Sequence, residues 1–291
     1  MGAVAQSAGT RAEALAAARE AFAAAGIEDP RLDAEVLLAA ALGADRAALA
    51  ADPDAAVEPA AGRSFATMVR RRLRREPVAY VLGRKGFRRL ELEVDRRVLV
   101  PRPETELLVE LALERSPRSL LDVGTGSGAI ALAVADELPG CAVSATDSSA
   151  GALEVARANA ARLGLGDRVD FQAGTIPAGR EFDLVLANLP YVSEAEWPGL
   201  EPEVTEWEPH EALLAGPDGL DAYRRLFAEM RQSFVADGAA KDCRIRVGAV
   251  AVEVGQGQAA AVAELIGDAG FGRTEVRRDL AGIERVVVGE R

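Results

Sequence analysis

Histidine and cysteine are nearly missing from this sequence: there is one histidine, His210, and two cysteines, Cys141 and Cys243. A lone histidine in an acidic, proline-flanked stretch reads as a surface residue and excludes most His-based catalytic schemes. The cysteines lie far apart, with no CxxC or Cys/His cluster, so neither a disulfide framework nor a metal site is expected. Also absent is any apolar run near the ~20 residues that cross a bilayer. The opening MGAVAQSAGT lacks a basic segment leading into an apolar core, so no signal peptide is expected. An excess of positive charge is missing too, since 34 Lys and Arg face 46 Asp and Glu for a net charge of -12. A protein that coats nucleic acid non-specifically needs a basic face, and this composition argues against one. The expectation is a cytoplasmic protein that contacts neither membrane nor, directly, nucleic acid.

What the sequence does contain is apolar: 49% hydrophobic residues over 291 positions is enough for two domains, or one with an appendage. Residues 1–76 carry apolar positions at three- and four-residue spacing and read as a helical domain for recognising a partner. Thr10 and Glu13 spell a capping box before an Ala/Leu-rich helix that Gly26 ends. A second helix follows Pro30 and stops at Gly43, Asp45 caps a short third, and a fourth is expected over Ser64–Arg75 before Pro77. Residues 77–101 read as a β-hairpin linker, with alternation in Leu90, Leu92 and Val94. The stretch from Arg70 to Arg97 is rich in arginine. It is either a solvated helix face with turn charges or a docking surface for an acidic or RNA-associated partner.

From residue 102 to 291 strands and helices alternate, the signature of a doubly wound α/β sheet. Strands are expected at Ser119–Val123, Ala142–Thr146, Arg168–Gln172, Phe182–Ala187, Arg246–Val254, Thr274–Arg278 and Arg285–Val288. Helices are expected at Ala129–Glu137, Ala150–Leu163, Leu220–Val235 and Gln258–Ala269, and residues 238–246 should form a loop.

Three short segments carry chemistry. LLDVGTGSGAIALAVA is a strand, a glycine turn and a helix in succession. Gly124, Gly126 and Gly128 let the backbone turn sharply and approach a ligand, and the helix N-terminus behind them offers unpaired N–H groups. The turn, with Thr125 and Ser127, is a candidate cofactor cradle, although alone it also satisfies the loose dinucleotide pattern. Asp147 ends the next strand, where a carboxylate can accept hydrogen bonds from ribose hydroxyls. Asn188, Leu189, Pro190 and Tyr191 follow the strand FDLVLA. An Asn Oδ1 and the carbonyl after it can both accept from one NH2 group, holding an amide or amino nitrogen with its lone pair aimed at an electrophilic methyl. Pro190 would stiffen that turn and Tyr191 would supply a flat surface beside the amide.

DVGTGSG, Asp147 and an NxPY segment together resemble a class I methyltransferase acting on amide or exocyclic nitrogens. The run REPVAYVLGRKGFRRLELEVDRRVLVPRPETE from Arg75 to Glu106 is similar to the glutamine-N5 methyltransferases of peptide chain release factors. So are EPHEALLAGPDGLDAYR from Glu208, EVGQGQ from Glu253 and DLAGIER from Asp279. The resemblance implies a Rossmann-like class I methyltransferase sheet, a helical substrate-recognition domain, and S-adenosylmethionine as cofactor with S-adenosylhomocysteine as product. It further implies methylation of the glutamine in the GGQ motif of release factors, with Arg102 to Thr105 closing over the methionine end of the cofactor. The chain departs from the family pattern at Leu189, where a proline is usual, and at Gly174 and Thr175, where an acidic and then an aromatic residue usually line the adenine. NLPY also resembles rRNA adenine methyltransferases, so a nucleic-acid amino methyltransferase stays open as the rival. An NAD-dependent oxidoreductase would lack a hydride-transfer partner, and the intact NxPY argues against a non-catalytic binding module.

Overall fold

Helix α1, Arg11–Ala24, starts where the capping box predicts: Thr10 Oγ1 accepts from the Glu13 amide at 3.2 Å and Glu13 Oε2 from the Thr10 amide at 2.8 Å. A computed structural model of the chain describes residues 9–235 and 246–291. The loop expected over 238–246, with Cys243, lies outside the described residues apart from Arg246, which begins a strand.

Two compact units emerge, one holding the chain up to Gly83 together with Pro202–Trp207, the other Arg84–Glu201 with Glu208–Arg291. In the first, α1 packs with α2 (Pro30–Leu42), α3 (Arg46–Ala51), α4 (Pro59–Arg72) and α5 (Val78–Leu82). Phe22, Leu37 and Leu38 are fully buried at its centre, each contributing about 1.5–3 kcal/mol of transfer free energy. Helix α4 begins at Pro59, before the expected Ser64, because a proline at the first helical position forfeits no hydrogen bond. It stops at Arg72 because Arg75 adopts a left-handed φ of 64°. Helix α5 was not expected. Its VAYVL run suits a strand by propensity, but Pro77 before it and left-handed Gly83 after it set off one helical turn that buries Tyr80 and Val81.

Three arginines near the end of α4 are internally engaged. Arg72 bonds Asp33 at 2.7 Å and Glu203 at 2.6 Å, Arg75 bonds Glu203 at 2.6 Å, and Arg71 clasps Glu76. In the second unit Arg88 pairs with Glu137 at 2.9 Å and Arg97 with Asp95 at 2.6 Å.

The second unit opens with an antiparallel hairpin, β1 (Arg84–Phe87) and β2 (Leu90–Glu93). Helix α6, Glu106–Arg115, also escaped the sequence reading and precedes β3, Ser119–Val123. Then follow α7 (Ala129–Glu137), β4 (Ala142–Asp147), α8 (Ala150–Arg162), β5 (Val169–Ala173), β6 (Glu181–Ala187), a helix Asp221–Val235, β7 (Arg246–Glu253), a helix Ala259–Asp268, β8 (Arg273–Arg278) and β9 (Glu284–Glu290). The seven-stranded sheet runs β5-β4-β3-β6-β7-β9-β8, parallel from β5 to β7 and antiparallel at β9 and β8. Inward residues alternate between its faces: Leu120, Leu184 and Leu186 pack on one side, Leu121, Val185 and Ala187 on the other. This is the doubly wound α/β sheet that the alternation predicts, in the Rossmann-like form that the resemblance implies.

The chain runs β3, β4, β5 outward and then returns to the other side of β3 as β6. That reversal leaves a crevice beyond the carboxyl ends of the strands, where ligands bind in folds of this type. The glycine turn after β3, Asp147 at the end of β4, Gly174 and Thr175 after β5, and Asn188 after β6 all stand on this edge.

Candidate active site

A cavity of about 330 Å3 occupies the crevice, inside the range of small-molecule sites. Gly124, Thr125, Gly126 and Ser127 line it on the β3 side and Asp147 and Thr175 on the β4–β5 side. Asn188, Leu189 and Pro190 line it from β6, and Arg102 and Thr105 from the turn Pro103–Thr105 before α6. Two residues expected at the site do not line it, Gly128 and Tyr191.

The glycine turn is shaped by its own contacts. Gly124, Gly126 and Gly128 have φ of 75°, 56° and 85°. Gly128 sits beneath the turn, where a Cβ would come within 2.9 Å of Leu132 and 3.4 Å of Ala156, so its value is close packing of α7 on α8. Thr125 turns its hydroxyl down to Asp122 at 2.6 Å, and Ser127 gives its carbonyl to Asn159 Nδ2 at 3.0 Å. Asn159 also exchanges hydrogen bonds with both backbone groups of Glu93, at 2.7 Å and 2.9 Å, which ties the turn to β2. Asp147 accepts from the Gly126 amide at 2.9 Å and the Ser149 amide at 2.8 Å, one on each carboxylate oxygen.

Asp122 lies fully buried under the turn, with Oδ1 lacking a hydrogen-bond partner. Burial pushes its carboxyl up to about 7, and the bonds from Thr125 and Ala131 only partly oppose this. A pKa raised on folding adds stability that is whole below the ordinary carboxyl value of about 4 and is lost as pH rises through about 7. Replacing Asp122 with Asn is therefore expected to stabilise the protein at alkaline pH, by up to about 4 kcal/mol, and to lose that advantage in acid. Thermal unfolding of both proteins across pH checks this, and a pH-independent difference would refute it.

On the β6 side, Asn188 Nδ2 donates to Thr105 Oγ1 at 2.9 Å, and the Thr105 hydroxyl donates to Glu253 Oε2 at 2.7 Å. With its NH2 held by Thr105, the Asn188 amide has Oδ1 left as its acceptor. Tyr191 lies outside the cavity lining, with its ring against Gly255, where a Cβ would meet Cδ2 at 3.2 Å. Burial raises its hydroxyl to about 12. Its carbonyl accepts from Gln258 Nε2 at 2.9 Å, while Gln258 Oε1 accepts from the Gly255 amide at 3.0 Å. One glutamine thus clamps the segment after β6 to the turn after β7. Gly219 leaves room for that clamp, since a Cβ there would fall 2.3 Å from the Tyr191 carbonyl oxygen.

Glu208, buried, accepts from the Val100 amide at 3.0 Å and from the Arg102 guanidinium. Thr175 bonds Glu229 through its hydroxyl, and its carbonyl accepts from Thr146 Oγ1 at 2.6 Å. His210 is exposed and packs edge-on to Trp197 at 4.7 Å between ring centroids. Among the described residues no group of three or more His, Cys, Asp or Glu could hold a metal ion, and no helix is long and apolar enough to cross a membrane.

Family models match two regions: the PrmC N-terminal domain over residues 13–83 and the methyltransferase small domain over residues 103–199. The release factor glutamine methyltransferase of Caulobacter vibrioides is 39% identical over 287 residues, covering 96% of each chain. That of Moorella thermoacetica is 41% identical over 290 residues, covering 97% of this chain and 99% of its own. This chain belongs to the release factor glutamine methyltransferase family. The hMettl16 catalytic domain, solved with a MAT2A 3′UTR hairpin, aligns with a TM-score of 0.52 at 15% identity over 68% of this chain and 74% of its own, a likeness of fold alone. Glu253, Glu208, Gln258 and Asn159 stand at or behind the site, and residue type and spacing alone mark none of them with a role. The first three stand in segments that carried the resemblance, EVGQGQ and EPHEAL, and that was the available signal.

Proposed function

We propose that the chain transfers a methyl group from S-adenosylmethionine to the side-chain N5 of the glutamine in the GGQ motif of peptide chain release factors. The product is S-adenosylhomocysteine, the setting is the cytoplasm, and the consequence falls on translation termination. One observation carries the proposal: a Cβ on Gly124 would lie 3.2 Å from Leu189 Cδ2 and 3.7 Å from the Asn188 carbonyl oxygen. The glycine turn and the Asn-Leu segment therefore touch, so a group held by one lies beside a group held by the other.

The residues present fit the cofactor. Gly126 and Gly174 have open space where a Cβ would stand, and Ala129 and Ile130 at the start of α7 line the cavity. Each Asp147 oxygen accepts one backbone N–H and has capacity for another donor, as a ribose diol requires. When bound, S-adenosylmethionine supplies a methyl group already activated on its sulfonium. Asn188 Oδ1 and the Leu189 carbonyl are assigned to accept the two N–H groups of the substrate amide. Their grip orients the nitrogen lone pair and stabilises the charge that grows on nitrogen. Pro190 limits the turn, and Gln258 fixes the segment from behind. Arg102, anchored by Glu208, and Thr105 border the same cavity.

A protein acceptor rather than a nucleic acid is supported by the net charge of -12 and by the carboxylate partners of Arg71, Arg72, Arg75, Arg88 and Arg97. Labelled S-adenosylmethionine incubated with purified release factor, a GGQ-glutamine→Ala version of it, and bulk rRNA tests the proposal. Label is expected on the unaltered factor alone. Label on RNA would move the chain to the adenine methyltransferases, and equal label on both factors would move the target to another side chain.

A further inference from the structure

Resting on the amide-methylation reading above, we infer that Glu253, acting through Thr105, sets which way round the Asn188 amide faces the substrate. Glu253 is thus a positioning residue for methyl transfer. The hydrogens available along the chain of contacts decide the orientation. A threonine hydroxyl has one hydrogen to give and lone pairs to receive. A carboxylate can only accept, so at 2.7 Å from Glu253 Oε2 the Thr105 hydrogen is committed to Glu253. Toward Asn188, at 2.9 Å, Thr105 Oγ1 can then only accept, so the NH2 of Asn188 must face it. Oδ1 is left for the substrate.

An amide flip exchanges two atoms of nearly equal size, so shape does not decide between the orientations. Hydrogen-bond direction does, and the direction is set by the one group in the relay that cannot donate. The wrong orientation would present an NH2 to the substrate NH2, removing an acceptor and adding a repulsion.

Glu253 is well placed to hold this role. It is 2% exposed, and its backbone carbonyl is taken by the Tyr223 hydroxyl at 2.6 Å, which fixes the residue at the end of β7. Facing its carboxyl are Thr105, Glu104 and Arg102 from the turn before α6, Arg285 from β9, and the hydroxyls of Tyr191 and Tyr223. Burial, with the charge of Glu104 added, raises the carboxyl to about 7 against the pull of Thr105 and the two arginines. Once protonated, Glu253 can donate to Thr105, and the relay loses its single direction. Activity is therefore present above the folded pKa and falls as pH drops through about 7.

The experiment compares wild type, Thr105→Val, Thr105→Ser and Glu253→Gln from about pH 6 to about pH 9, measuring kcat, KM for release factor and cofactor Kd. Thr105→Val keeps the shape and removes the relay, and is expected to lower kcat about 10- to 100-fold with cofactor Kd within about threefold. Thr105→Ser restores the hydroxyl and should return kcat to within about threefold of wild type. Glu253→Gln can point either end of its amide at Thr105, so kcat should drop about tenfold and the acid limb should vanish. Wild-type kcat in Thr105→Val, no rescue by Thr105→Ser, or an unchanged acid limb in Glu253→Gln would each overturn the relay. Should Glu253→Gln not fold, the two Thr105 variants decide alone. Wild type that labels no release factor overturns the substrate reading instead. The relay is then judged by carboxyl 13C titration, in which Thr105→Val must raise the Glu253 midpoint and an unmoved midpoint overturns it.

Discussion

Replacing Asn188 with Ala is expected to lower kcat about 100- to 1,000-fold while leaving cofactor Kd within about threefold. The magnitude is that of removing one group aimed at charge developing in a transition state. An amide nitrogen is a poor nucleophile because its lone pair is delocalised into the carbonyl. Methylation asks it to pyramidalise and carry positive charge, and an acceptor on its N–H strengthens as that charge grows. Asn188 is half-buried and its own NH2 is held by Thr105, which leaves Oδ1 to accept from the substrate. The cofactor side of the cavity rests on other contacts: the Gly126 amide on Asp147 at 2.9 Å and the Thr125 amide on the Thr146 carbonyl at 3.0 Å. Single-turnover rates at saturating cofactor, beside calorimetric cofactor binding, separate the two effects. Parallel loss of both would show that Asn188 holds the cofactor rather than the acceptor amide.

The strand ends and the glycine turn were legible because their signals are local. LLDV is an apolar run, three glycines follow it, and a helix of small side chains comes next, so strand, turn and helix succeed one another within one stretch. Asp147 and Asn188 stand out for the same reason: the first ends its strand and the second directly follows one, where side chains face the crevice. Helix α6 was missed because PRPETE drew the reading as a motif, although LLVELALE behind it buries Leu108, Leu111 and Ala112 at helical spacing. Helix α5 was missed because its residues favour a strand and only burial of Tyr80 and Val81 decides otherwise.

What joins distant segments was not legible. Thr105 and Glu253 lie 148 residues apart, and Asn188 and Thr105 83 apart. No periodicity records such a pairing. The arginine-rich stretch shows the same limit from the other side. Read linearly, it allows either a solvated face with turn charges or a basic surface for a partner. Folded, Arg72 reaches Asp33 across 39 residues, and Arg88 reaches Glu137 across 49. Those carboxylates turn much of the apparent docking charge into internal ion pairs, the nearly buried Arg72 among them. Tyr191 was expected to flank the amide with its ring. The ring lies against Gly255, and the segment after β6 is clamped by Gln258, whose backbone and side-chain partners only the folded chain brings together.

Replacing Asp147 with Ala is expected to produce the opposite division: cofactor Kd weakened about 100-fold, and kcat at saturating cofactor within about threefold of wild type. Two hydrogen bonds from ribose hydroxyls to a carboxylate, at about 1.5 kcal/mol each, the low end for bonds to a charged group, account for a loss of that size. The same carboxylate also shapes the protein before any ligand arrives. Its oxygens separately brace the Gly126 amide of the turn and the Ser149 amide at the start of α8. Removing both bonds leaves two donors dependent on water, so Asp147→Ala should also lower stability by about 1–3 kcal/mol. Asp147→Asn is informative because it is nearly isosteric yet not conservative. An amide has one acceptor end, so its NH2 must face either Gly126 or Ser149 and repel that N–H. About a tenfold loss in cofactor affinity is expected, between wild type and alanine. Titration calorimetry and thermal unfolding measure both quantities on each variant. Cofactor affinity unchanged in Asp147→Ala would remove the ribose from this carboxylate and leave Asp147 as a brace for the turn alone.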